Sequence, residues 1–143
     1  TYVATVVEVE VASDGALTIP AVWIAVDAGT VVNTDSVVNQ MEGATLFALS
    51  FALYSEITAS EGRIEQSNFH DYPVARIADT PLAIDVQVVE SNEAPAGVGE
   101  PGTPPFAPAL CNAIEDATGV RIRELPIADQ LSTAMAAMAS KGE

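Results

Sequence analysis

Valines 7, 9 and 11 alternate with Glu8 and Glu10, a period of two that predicts a strand with one buried face. Ser13-Asp14-Gly15 carries turn chemistry, and Leu17 to Val26 predicts a second strand, interrupted by Pro20, which points to an edge or a bulge. The two runs are expected to pair as a hairpin, closed at Asp27-Ala28-Gly29. Asn33-Thr34-Asp35-Ser36 then offers several N-cap groups for a long helix from about Ser36 to Tyr54. That helix is apolar nearly all round (Val37, Val38, Met41, Leu46, Phe47, Leu49, Phe51, Leu53), the pattern of a helix buried in a core. Its apolar run from Gly43 to Tyr54 is far shorter than the roughly 20 residues a bilayer requires.

The chain continues with a polar, turn-rich stretch from Glu61 to Tyr72, an alternating strand at Ile84, Val86 and Val88, and a loop from Ser91 to Ala96. From Pro104 to Thr118 a second helix runs through Phe106, Leu110, Ile114 and Ala117, with Gly119 as its stop. Arg121 to Leu125 reads as a short strand, Pro126 opens a last helix with Leu131, Met135 and Met138 on one stripe, and Ser140 to Glu143 should fray. The expected fold is α+β, paired strands packed by a long buried helix, with 1–143 as one unit whose terminal helix and tail occupy 127–143.

Composition changes that picture in one respect. Of the 143 residues 49% are apolar and only 17% charged, too few charges to wet the whole surface of a free-standing domain. Much of the surface is therefore expected to lie against other protein, and Thr1, running directly into a strand pattern without Met, fits a processed piece or the tail of a longer polypeptide. Twenty acidic against five basic residues give a formal charge of −15, which repels phosphate backbones and anionic membranes and argues against nucleic-acid binding. A single cysteine, Cys111, allows neither an intrachain disulfide nor a cysteine metal cluster.

The candidate chemistry lies in Gly97-Val98-Gly99-Glu100-Pro101-Gly102. Glycines let main chain approach a bound group where a Cβ would clash, and the residue before proline is driven into extended backbone, away from helical geometry. Thr103-Pro104-Pro105 reads as an N-cap with proline at the first helical position, so Glu100 would precede the positive pole of a helix. On local pattern alone Glu100 is also a solvated loop carboxylate, and Gln40 a core amide. His70 has no histidine or cysteine near it in sequence and reads as a surface or interface residue; Phe69 and Tyr72 read as packing aromatics, and Cys111 as an inert small hydrophobe.

Three segments in order carry more information than any one of them. Asn39-Gln40-Met41-Glu42-Gly43-Ala44, Gly97-Val98-Gly99-Glu100-Pro101 and Pro108-Ala109-Leu110-Cys111-Asn112-Ala113-Ile114 together resemble the C-terminal part of the large subunit of molybdenum hydroxylases of the xanthine oxidase and aldehyde oxidoreductase family. The run Thr118 to Pro126 is similar to the isoquinoline-oxidoreductase-like branch of that family, and the resemblance extends from about Val7 to Ile127.

The resemblance implies an oxidoreductase that hydroxylates an aldehyde or N-heteroaromatic carbon with water-derived oxygen. In it Glu100 is the general base, Gln40 lies against the pyranopterin, and the main chain of Gly97, Val98 and Gly99 faces the cofactor; no side chain of this segment ligates metal. The implied cofactors are molybdenum with molybdopterin cytosine dinucleotide, and [2Fe-2S] clusters in a partner subunit. The implied partners are the remainder of the molybdenum-binding large subunit, an iron–sulfur small subunit, a FAD or cytochrome c subunit and a small-molecule substrate. The branch includes exported enzymes, which favours the periplasm over the cytoplasm. The upstream bulk of such a subunit is absent from these 143 residues, so the segment is expected to be an incomplete domain that does not act alone. The rival expectation is a non-catalytic assembly or scaffold module, favoured by the low charge density and separated from the first by metal analysis of the native complex.

Overall fold

The computed structural model describes residues 1–127 and 129–140. Strands β1 (Tyr2–Val7), β4 (Ala21–Asp27) and β7 (Ala83–Val88) form one sheet in the order β1-β4-β7, with β4 antiparallel to β1 and parallel to β7. Two two-stranded ribbons accompany it, β2 (Glu10–Val11) with β3 (Leu17–Thr18) and β5 (Ala59–Ser60) with β6 (Arg63–Ile64). The helices are α1 (Thr34–Leu53), α2 (Phe106–Thr118) and α3 (Gln130–Ala139), with a 3₁₀ turn at Ile77–Asp79.

The alternation of the strands decides which face is covered. Val22, Ile24 and Val26 of β4 are essentially buried, and the register sets them between Val7, Thr5 and Val3 on one side and Ile84, Val86 and Val88 on the other. Helices α1 and α2 pack over these rows, α2 through Phe106, Leu110 and Ile114, a stripe at helical spacing. The opposite face, with Val6, Trp23 and Ala25, has no cover among the described residues.

Several expected elements are present with altered boundaries. The valine alternation is real, but the run breaks after Val7, and Glu10–Val11 then pairs with a different strand. Pro20 divides β3 from β4 as expected, yet β4 is the central strand; proline is tolerated there because it stands at the join, where its carbonyl accepts from Ala83 N. Helix α1 is capped by Asn33, whose side chain accepts from Ser36 N at 3.0 Å. It is not buried all round: Val37, Met41, Ala44, Ala48 and Leu49 face the core, whereas Phe47 is 66% exposed.

Three other expectations are overturned. Helix α2 starts at Phe106, not Pro104, and Thr103 does not cap it by a side-chain hydrogen bond. Pro104 and Pro105 have no N–H to be capped, and the chain instead turns tightly, with Phe106 N donating to Thr103 O. Arg121 to Leu125 is not a strand among the described residues, having no ladder partner. The last helix begins at Gln130, several residues beyond Pro126, with Leu131 buried and Met138 half exposed. Gly119 is the left-handed stop expected, at φ 76°. Of the tail, Lys141 to Glu143 lie outside the described residues.

Two glycines join the sheet and α1 to the segment that follows β7. Gly29, at φ 71°, sits where a Cβ would collide with the main chain of Ala94. A Cβ on Gly102 would lie 3.0 Å from the Ala44 Cβ and 3.1 Å from the Met41 Sδ of α1. Gly29→Ala should therefore destabilise the domain by about 1–3 kcal/mol through backbone strain, and Gly102→Val by a comparable ~1–3 kcal/mol through overpacking. Denaturant titration of the two variants checks this, and wild-type midpoints would mean that neither contact constrains the loop.

Candidate functional site

The segment from Ala94 to Pro105 leaves the end of β7 and is tied to β4 and to α1 along its length. Asp27 Oδ1 accepts from Gly29 N at 3.0 Å, forming a turn at the end of β4. Thr30 donates from both its main-chain N and its hydroxyl to Glu93 O, and Ala96 N donates to Ala28 O. Val98 is half-buried with its side chain packed against the core cluster. Glu100 O accepts from Thr103 N at 2.9 Å, so Glu100-Pro101-Gly102-Thr103 is a tight turn with proline at its second position. Gly102 then rests on Met41 and Ala44.

Between these fastenings the chain borders an open cavity of about 580 Å³, lined by Thr1, Gly97, Gly99, Glu100, Pro101 and Pro104. Of the residues singled out in the sequence, Gly97, Gly99 and Glu100 come together on its wall, with Glu100 solvent-accessible. Val98, between the two glycines, does not line the cavity, and its side chain turns to the core. Gln40 is exposed and does not line this cavity; it stands on α1 one residue before Met41, whose side chain meets Gly102.

The glycines divide by what they face. Gly97 and Gly99 do not have positive φ, and a Cβ on either would meet nothing within 4 Å. Neither a positive φ nor packing among the described residues calls for glycine at these positions, and the wall they form is open. Main-chain N–H groups at Gly97 and Gly99, unobstructed by side chains, can donate to an anionic, hydrogen-bonding group, with the Glu100 carboxylate beside them as an acceptor.

Thr1 is a further contributor to this wall. Its hydroxyl donates to Gly97 O, a contact across 96 positions of sequence. No periodicity or motif in the sequence announces such a pairing, which exists only because β1 begins where the loop passes. The other titratable candidates lie elsewhere. His70 is exposed and 3.6 Å from Asp71, whose carboxyl is held down at about 2 by hydrogen bonds from Asn68 N and Ser67 N, the Ser67 hydroxyl and, least, by His70. Burial pushes the Cys111 thiol up, which suits an unreactive residue. Among the described residues no cluster of three or more His, Cys, Asp or Glu could hold a metal ion.

Comparison with known proteins supplies the family. The chain is 41% identical over 120 residues to isoquinoline 1-oxidoreductase subunit beta of Brevundimonas diminuta, covering 84% of this chain and 15% of that protein. It is 44% identical over 115 residues to the membrane-bound aldehyde dehydrogenase [pyrroloquinoline-quinone] of Gluconacetobacter polyoxogenes, covering 80% of this chain and 15% of the relative. The chain thus spans about 15% of the length of these relatives. Its fold matches the crystal structure of quinoline 2-oxidoreductase from Pseudomonas putida 86 with a TM-score of 0.79 at 24% identity, over 89% of this chain and 17% of that one. The family described as molybdopterin cofactor-binding domain matches residues 1–81. That is more than half of the 143 residues and includes α1 with Gln40, and the chain belongs to this molybdopterin cofactor-binding domain family.

Proposed function

We propose that this chain supplies the general base and part of the cofactor cradle of a molybdenum hydroxylase acting on an aldehyde or N-heteroaromatic carbon. The observation that carries the reading is the wall of Gly97, Gly99 and Glu100, where glycine is not required by any described residue of the chain. One relative's name attaches a different cofactor, pyrroloquinoline-quinone, to that protein. The molybdopterin reading here rests on the family match and on the donor set.

When bound, the molybdenum–pterin group supplies the oxidising centre that takes up the electron pair lost by the substrate carbon. The part played by Glu100 is simpler, because its carboxylate accepts the proton of the water-derived nucleophile as the new C–O bond forms. The turn from Glu100 to Thr103 and the seat of Gly102 on α1 hold the main chain that carries this carboxylate, which lowers the orientational cost of recruiting a base from solvent. The main-chain N–H groups of Gly97, Val98 and Gly99 serve as donors to the anionic cofactor, and the Gln40 amide can donate and accept towards the pterin. We extend the proposal, on the likeness to the bacterial relatives, to the cytosine dinucleotide form of the cofactor and to [2Fe-2S] clusters carried by a partner.

The reading also needs more protein than these 143 residues, and the uncovered sheet face offers a place for it. Parallel strand pairs such as β4 and β7 are ordinarily covered on both faces, yet Trp23 is 44% and Val6 62% exposed on the outer side. In a chain of net charge −15, Asp85 is the one charged residue of that face away from its ends among the described residues. The remainder of the large subunit is the occupant we assign to it, because the relatives are several times longer than the matched segment.

Three measurements test this. Glu100→Gln in the assembled enzyme should lower kcat by about 10²–10⁴-fold with molybdenum and pterin content unchanged; near-normal turnover would remove Glu100 from the chemistry. Gly97→Ala and Gly99→Ala should fold as well as the parent or slightly better, by about 0.4–1 kcal/mol, while losing bound cofactor, and full cofactor occupancy in both would show that the bare wall serves another purpose. Trp23→Lys should preserve the circular dichroism of the domain and weaken its hold on the rest of the large subunit by at least about tenfold, whereas unchanged association would free the outer face from that role.

A further inference from the structure

The bareness of Gly97 and Gly99 raises a physical difficulty. Glycine has the widest range of backbone angles of any residue, so a peptide unit flanked by it rotates easily unless something holds it. Neither glycine carries a side chain that could be packed in place, and both lie on the wall where donor N–H groups must keep a fixed direction. Preorganised donors are effective because they need not reorient when charge arrives. A flipping Gly97–Val98 peptide would exchange an N–H donor for a carbonyl, which repels an anion.

One side chain meets that difficulty. The Thr1 hydroxyl donates to Gly97 O and so holds the carbonyl half of the Gly97–Val98 peptide. Since the peptide is planar and trans, fixing its C=O also fixes its N–H, pointing the opposite way. The anchor is firm, because Thr1 adjoins Tyr2, the first residue of β1, which is paired with Asp27 at the end of β4. Asp27 in turn holds the Gly29 turn against which Ala94 packs. The far end of the peptide is held by Val98, seated on the core. Thr1 itself borders the same cavity as Glu100, so the restraint acts at the site.

We propose that Thr1 is a positioning residue: its hydroxyl locks the Gly97–Val98 peptide and thereby the direction in which the Val98 N–H is presented to the cofactor. The proposal rests on the reading of this wall as the cofactor's, and it assigns a role to the side chain, not to the amino group, of Thr1. Valine at position 1 is nearly isosteric and cannot donate; serine keeps the hydroxyl.

The test compares Thr1→Val and Thr1→Ser in the assembled, cofactor-loaded enzyme. Release of molybdenum and pterin during dialysis should be about threefold to tenfold faster in Thr1→Val, the range expected for one lost hydrogen bond. Its kcat should fall by a similar factor at unchanged KM, with an unchanged thermal melting curve, and Thr1→Ser should restore both values. Wild-type release from Thr1→Val overturns the proposal, as does a Thr1→Ser variant no better than valine, which would point to packing of the side chain alone. Full turnover in Glu100→Gln, run in parallel, would overturn the base assignment separately, because cofactor release is read without turnover.

Discussion

The buried row on strand β4 is the constraint from which the rest follows. Val22, Ile24 and Val26 lie under both helices and between two other strands, so β4 cannot shift register by one residue without turning Trp23 and Ala25 into the core. That locked strand ends at Asp27, and the turn it begins receives the chain again at Thr30–Glu93 and Ala28–Ala96. The position of the Glu100 loop is therefore inherited from the sheet. Helix α1 contributes the second support through Met41 and Ala44, which are buried because they lie on the same stripe as Val37 and Ala48.

The glycines show how differently the same residue can be used. Gly29 and Gly102 are demanded by close packing, one against main chain and one against a helix. Gly97 and Gly99 are demanded by nothing among the described residues, and they stand beside the carboxylate that lines the cavity. Rigid supports around an unhindered wall are what a binding site for a large anionic group requires, since the supports hold the donors in place and the absent side chains admit the group. The outer sheet face, apolar and uncovered among the described residues, is the kind of surface that marks a protein contact.

How much was legible beforehand depended on the range of the interactions involved. Short-range signals read well: the Asn33 cap, the Gly119 stop, the alternation of Ile84, Val86 and Val88 and the division of the second strand at Pro20 all rest on residues within a few positions of one another. The start of α2 was misplaced because two consecutive prolines permit a tight turn as readily as a helical first turn, and only the path into Phe106 selects between them. Arg121 to Leu125 has no neighbouring strand among the described residues, and a ladder requires a partner that local sequence does not specify.

By itself the sequence determined the α+β class and, through three ordered segments, a resemblance to molybdenum hydroxylases; these depend on residue type and near neighbours. Tertiary structure alone decided that Gly97, Gly99 and Glu100 share a wall with Thr1, that Val98 turns inward, that Gln40 stands beside the α1 contact rather than in the cavity, and that the outer sheet face is uncovered among the described residues. Each of these joins residues tens of positions apart or concerns the space left between them. Such distances are set by how the elements pack around β4, and no local pattern encodes them.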